Sequence, residues 1–219
     1  MLFANMAYAY GERLDPYNYP SRILSRGETV EIIIKSFELN IKERSFLQSC
    51  KSEPDYCFFT FSAMSDYDGI SFSPMQLYPD VTLNTRYYDS INTATMLGLA
   101  HGMQSMEGTP FLPQHVMTRI QALKLIMGAS DLMTWKEKFE LSEADLPSRQ
   151  PDNFVYSDVT IYYPENWWYF RYLKRANELD ITPENEKFLP NEPVTVSELN
   201  DMISNALKVT ESNEQIQEV

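Results

Sequence analysis

The chain has 219 residues, 43% of them hydrophobic and 22% charged, which is enough apolar material for a real core. Its 31 acidic residues outweigh 18 basic ones for a net charge of −13. That balance excludes broad contact with nucleic acid or anionic lipid, both of which need clustered lysine and arginine. An anionic ligand has to be caught by a few local cations, which screening over about 8 Å at physiological salt permits.

The opening MLFANMAYAY carries an Ala-x-Ala triplet at Ala7 and Ala9. It lacks the basic start and the long apolar run of a secretory signal, so it reads as the end of a helix whose beginning is missing. Pro20 then precedes Ser25 by five residues, and Glu28 follows that serine by three. Behind this box Val30, Ile33, Ile34 and Phe37 form an apolar helical stripe. Residues 1–39 make a first unit, incomplete at its start.

Residues 40–76 form an insertion with both cysteines, Cys50 and Cys57, and an aromatic run, CFFTFSAMSDYDGISF, suited to a strand or hairpin. The cysteines form a short-loop disulfide in an exported protein or two separate thiols otherwise. Asp66 and Asp68 before Gly69 match part of a calcium loop, but Met64 and Met75 occupy its first and last ligand positions.

Residues 77–130 hold the most complete unit. It opens Tyr78-x-Asp80-Val81, continues with Tyr87 and Tyr88, and runs into a helix ending at Leu97 and Leu99 around Gly98. Gly102, Phe111 and Pro113 follow, and then a box of Thr118, Arg119 and Gln121 with a stripe of Ile120, Leu123, Ile126 and Met127. Residues 131–154, with Pro147 and Pro151, read as a linker or a short extra helix.

Residues 155–208 repeat the pattern. Tyr156, Asp158 and Val159 open it, Trp167 and Trp168 stand for the tyrosine pair, and Leu179 and Ile181 close the first helix. Phe188 and Pro190 lead to Thr195 and Glu198, with a stripe of Leu199, Met202, Ile203, Ala206 and Leu207. Residues 209–219 read as a frayed acidic tail.

Ser/Thr-x-x-Glu/Gln is a capping box, in which the hydroxyl accepts from the third helical amide and the acid or amide reaches back. A proline upstream keeps the approach extended and stops an early helix start. One box is common by chance. Three boxes with one proline offset and one stripe make positions 25, 118 and 195 equivalent helix starts.

These motifs together resemble the S-layer homology (SLH) family: aromatic-x-Asp-Val, an aromatic-bearing first helix, a glycine-containing loop, Phe-x-Pro and a Thr-Arg-x-Glu box. The match runs through the whole of residues 77–130, through most of 155–208 and through the second half of the first unit. Val196 stands where the family has its arginine, and the first unit lacks the opening Asp. The resemblance implies a mainly α fold of three helix–loop–helix repeats in a pseudo-threefold arrangement, with short β or irregular insertions. It also implies extracellular, cell-envelope anchoring through a secondary cell-wall polysaccharide, typically held by its pyruvyl carboxylates.

Arg26 and Arg119 directly follow the cap, where unpaired amides and the helix dipole favour an anion and a guanidinium fork fits a carboxylate. The expected ligand-binding set is Arg119, Thr118, Gln121, Asp80, Tyr88, Gly98, Gly102, Arg26, Ser25, Glu28, Asp158 and Trp168. Each has a plainer alternative: a surface ion pair for the arginines, helix capping for Asp80 and Asp158, a core role for Trp167 and Trp168, and backbone geometry for Gly98 and Gly102. His101 and His115 are isolated, so neither metal nor cofactor is expected.

No glycine-rich phosphate loop, Gly-x-Ser-x-Gly elbow or HExxH occurs, so the expectation is a non-catalytic module. No apolar run reaches the length of a membrane helix, so membrane insertion is not expected. The competing expectation is an SLH-derived structural module that contacts other surface or filament proteins, favoured by the missing arginine, the added aromatic segments and eleven methionines.

Overall fold

The computed structural model describes residues 20–39, 77–103, 109–133, 156–159, 167–183 and 185–217. Cys50 and Cys57, the aromatic run of 40–76, most of the 131–154 linker and the opening decapeptide lie outside these residues. The described chain is mainly helical: α1 (Arg26–Ser36), α2 (Tyr88–Met96), α3 (Arg119–Ala129), α4 (Trp167–Glu178) and α5 (Val196–Gln217). Among the described residues the only β pairing is three isolated bridges. Two compact units contain these elements, one of Arg26–His115 and the other of Met1–Ser25 with Val116–Val219.

In the unit Arg26–His115, α1 packs on α2. Val30, Ile33 and Ile34 of the predicted stripe are buried, and so are Ile32 and Thr29, so α1 is covered on more than one face. It ends at Glu38, whose φ of 49° reverses the chain. The Leu39 amide then bonds the Ile34 carbonyl (2.9 Å) and the Glu38 amide bonds Lys35 (3.2 Å), the double closure of a left-handed C-cap. Helix α2 stops the same way at Gly98, φ 69°, with Leu99 N bonded to Ala94 O (2.8 Å) and Gly98 N to Thr95 O (2.9 Å).

In the other unit, α3 packs against both α4 and α5. Its start is a full capping box, with the Thr118 hydroxyl accepting from Gln121 N and the Gln121 side chain accepting from Thr118 N. Ile120, Leu123, Leu125, Ile126 and Met127 are all buried, a contribution on the order of 10 kcal/mol at roughly 2 kcal/mol per large aliphatic side chain. Helix α4 ends at Asp180, φ 54°, with Ile181 N bonded to Ala176 O (2.8 Å) and Asp180 N to Asn177 O (3.1 Å). This repeats the closure at Gly98 with aspartate in place of glycine. Helix α5 differs from expectation at its end: 209–217 continue it rather than fray. Val209 to Gln217 contain neither glycine nor proline, and glutamate and glutamine sustain a helix.

The segments leading into the three boxes interlock within this second unit. Leu24 N bonds Val194 O (3.1 Å), Val194 N bonds Met117 O (2.9 Å), and Met117 N bonds Leu24 O (3.1 Å), closing a cycle. The bridges Ile23–Thr195, Ser25–Val116 and Thr118–Pro193 follow the same cyclic order. Three backbones of high sequence separation thus satisfy each other's amides, which a buried main chain requires. Leu24 and Val194 are wholly buried and Met117 nearly so.

Candidate functional site

The arginines at the heads of the first two boxes each reach the carbonyl of a buried phenylalanine. Arg26 is only 9% exposed. Its Nε donates to Phe111 O at 3.0 Å and its Nη2 to His101 O at 3.1 Å. The guanidinium also lies over the Phe111 ring, 4.8 Å from its centroid. Arg119 is arranged in parallel: Nη1 donates to Phe188 O at 3.4 Å, while Nη2 pairs with the Glu198 carboxylate.

Each of these phenylalanines is pinned from the other side by the aspartate of an aromatic-x-Asp-Val opening. Asp80 accepts from Phe111 N (2.8 Å) and Leu112 N (2.7 Å) through its two oxygens. Asp158 accepts from Phe188 N (2.9 Å) and Leu189 N (2.7 Å) in the same way. Leu112 and Leu189 both take left-handed backbones, φ 60° and 55°, which aims the two consecutive amides at one carboxylate. Helix capping was one alternative for Asp80, but α2 has no side-chain cap and Asp80 is committed to the Phe111 loop. The opening aromatics complete the match. Tyr78 tilts against Phe111 at 5.2 Å and Tyr156 against Phe188 at 5.5 Å.

The helix-start amides are not free for an anion, and here the sequence expectation is corrected. Arg26 N bonds His115 O (2.7 Å) and Gly27 N bonds Pro113 O (2.9 Å). Arg119 N bonds Glu192 O (2.9 Å), Ile120 N bonds Pro190 O (3.1 Å), Val196 N bonds Arg22 O (3.0 Å) and Ser197 N bonds Pro20 O (3.1 Å). The amides of the third helical residues go to the box hydroxyls, Gln121 N to Thr118 Oγ1 and Glu198 N to Thr195 Oγ1, each at 3.4 Å. The prolines read as helix blockers thus also supply carbonyl acceptors for other segments. What remains available to a ligand is side-chain charge.

Burial lowers the Arg26 pKa from its usual range, an effect opposed by the charges of Tyr78 and Asp80. Burial also raises the Tyr78 phenol, against its hydrogen bond with Thr95 and the nearby Arg26 cation. Burial would raise the Glu198 carboxyl too, but the bonds from Arg119 and Thr195 outweigh it and hold that group below the usual carboxylate range.

The expected ligand set is therefore dispersed. Asp80, Gly102, Tyr78 and Arg26 gather about the Phe111 loop: Cβ atoms at Gly102 would meet Thr109 O at 2.6 Å and Tyr78 Cε1 at 2.8 Å. Thr118 and Gln121 bond each other. Gly98 forms the α2 terminus, Tyr88 begins α2 half-buried, and Ser25 bridges Val116. Glu28 lies half-buried in the first turn of α1. Asp158 holds the Phe188 loop, and the Trp168 side chain lies outside the described residues.

Sequence reasoning missed the two phenylalanine carbonyls and the Arg119–Glu198 pair. The available signal was that Glu198 is charged where its counterpart Gln121 is not. It also missed half-buried Lys124 of α3, 6.0 Å from the Tyr172 ring of α4. Burial first, and Arg171 second, lower the Lys124 pKa. Among the described residues no group of three His, Cys, Asp or Glu is placed to hold a metal ion, and no described helix is long and apolar enough to cross a membrane. The chain matches no protein-family model, and no curated protein matches it by sequence.

Proposed function

We propose that the chain is a non-catalytic anchoring module built of three SLH-like repeats in a pseudo-threefold arrangement, residues 1–39, 77–130 and 155–208. It acts at the cell surface and binds an anionic, pyruvylated secondary cell-wall polysaccharide. The observation that carries this reading is the cyclic exchange among Leu24, Met117 and Val194, which treats the three box segments as equivalent. Parallel placement of Arg26 on Phe111 O and Arg119 on Phe188 O adds two guanidinium groups in matched backbone settings in an otherwise acidic protein. A guanidinium suits a carboxylate ketal, and aromatic faces suit sugar rings.

The test is binding of the purified chain to pyruvylated wall polysaccharide, with the same polymer stripped of pyruvate as control. Binding that disappears with the ketal supports the reading. No binding to either polymer, or equal binding to both, overturns it.

A second reading, an SLH-derived module contacting other proteins in a surface layer, filament or envelope assembly, is favoured by exposed apolar residues in the interlocked segments. Ile23 is 49% exposed and Val116 52%. Sedimentation of the chain alone and with wall extracts separates the two readings, because only this one calls for assembly without glycan.

A further inference from the structure

Arg26 and Arg119 sit in matched backbones but in different electrostatic surroundings. Arg119 faces two carboxylates, Glu198 on its Nη2 and Asp158 across the Phe188 peptide. Arg26 faces one, Asp80 across the Phe111 peptide, whose oxygens are already bonded to two amides. Its own hydrogen bonds go to two neutral carbonyls, and among the described residues no carboxylate pairs with it.

Glu198 is also held firmly. Its second oxygen accepts from Thr195 N and from Thr195 Oγ1, each at 2.9 Å. A carboxylate fixed by its own capping box meets Arg119 without further loss of side-chain freedom, and acts as a competitor at high effective concentration. An incoming carboxylate must displace it and then face the remaining negative charge.

We propose that Glu198 is a built-in carboxylate that occupies the Arg119 guanidinium and closes that site to anions. This rests on the reading above, in which the chain binds a carboxylate-bearing glycan. It also lowers the standing that the sequence gives residues 77–130, which hold the complete motif. Motif completeness does not determine the charge that a neighbouring helix brings to the arginine.

Glu198→Gln tests it without dismantling the helix start, because Gln121 closes the equivalent box with a neutral side chain. The full chain, wild type and E198Q, is titrated with pyruvylated wall polysaccharide by calorimetry, after circular dichroism has shown equal helix content and cooperative melting well above the assay temperature. The expected result is binding in wild type and about tenfold tighter binding in E198Q. Adding Arg119→Gln to E198Q should return the affinity to the wild-type value. If wild type binds and E198Q binds no more tightly, the masking role is overturned while the glycan reading stands. If neither binds, the glycan reading and the inference built on it both fall.

Discussion

Gly27 lies directly beneath the ring of Tyr87, so closely that a Cβ on Gly27 would stand 2.2 Å from Tyr87 Cδ2. The second residue of α1 must therefore be glycine for α1 to reach the chain just before α2. Tyr87 is 4% exposed and cannot swing outward without leaving the core. Two effects oppose each other in Gly27→Ala: better helix propensity, worth about 1 kcal/mol, and overpacking, which costs about 1–3 kcal/mol. A methyl group at 2.2 Å puts this site at the upper end of that range, so net destabilisation by about 2 kcal/mol is expected. Urea denaturation checks it, and an unchanged or higher midpoint would show that the close approach is absent.

Asp80 and Asp158 should be unequal despite their matched geometry. Replacing Asp80 with alanine strips the acceptor from two consecutive amides, each bond to a charged group being worth about 1.5–3 kcal/mol. Both amides are partly buried, and Leu112 loses the support for its left-handed backbone. A loss of about 3 kcal/mol is expected. At Asp158 the Leu189 bond is exposed, so water replaces it and the loss should be nearer half of that. Equal losses in chemical denaturation would contradict this.

The parts of this fold that side chains announce were legible beforehand. Thr118 and Gln121 form the predicted box, and Ile120, Leu123, Ile126 and Met127 are the buried stripe of α3. The cycle through Leu24, Met117 and Val194 was not legible, because it is main chain bonded to main chain and any residue but proline can donate. For the same reason the helix-start amides read as free, although distant carbonyls take them. The site suffered similarly. Arg26 carries the same sequence signature as Arg119, yet one lies nearly buried among neutral acceptors and the other pairs with Glu198. Only the packing of distant segments decides which.

The Arg119–Glu198 pair makes stability depend on pH in a defined direction. Glu198 has its carboxyl pKa depressed below the usual 4.5. A depressed carboxylate stabilises the fold at pH values above its unfolded pKa, and that contribution fades as pH falls through the lower, folded value. The side chains are 21% and 32% exposed, so solvent screening keeps the pair's worth near 1 kcal/mol. Arg119→Gln should therefore lower the urea midpoint slightly at pH 7, with the difference from wild type shrinking below about pH 4. A difference that stays constant from pH 7 to pH 3 would show that the carboxylate is not involved.

Arg26 should matter far more to stability than Arg119, which separates a buried cation from a surface ion pair. The Arg26 fork holds Phe111 O and His101 O while its plane covers the Phe111 ring. Lysine cannot reproduce that arrangement, since its ammonium lacks a planar pair of donors and a flat face to stack. Arg26→Lys leaves a desolvated charge with at most one of the two carbonyls satisfied, so a cost of about 3 kcal/mol is expected from bonds worth about 1.5–3 kcal/mol each. Arg26→Met keeps much of the apolar contact and removes the buried charge, and should cost less than lysine if desolvation dominates, since a buried cation without a paired anion is itself unfavourable. Arg119→Lys, by contrast, can still meet Glu198 through solvent-screened attraction and should shift stability by less than about 1 kcal/mol. Thermal melts of the three variants give the order directly, and a more damaging substitution at Arg119 than at Arg26 would mean that Arg26 is not buried against the Phe111 loop.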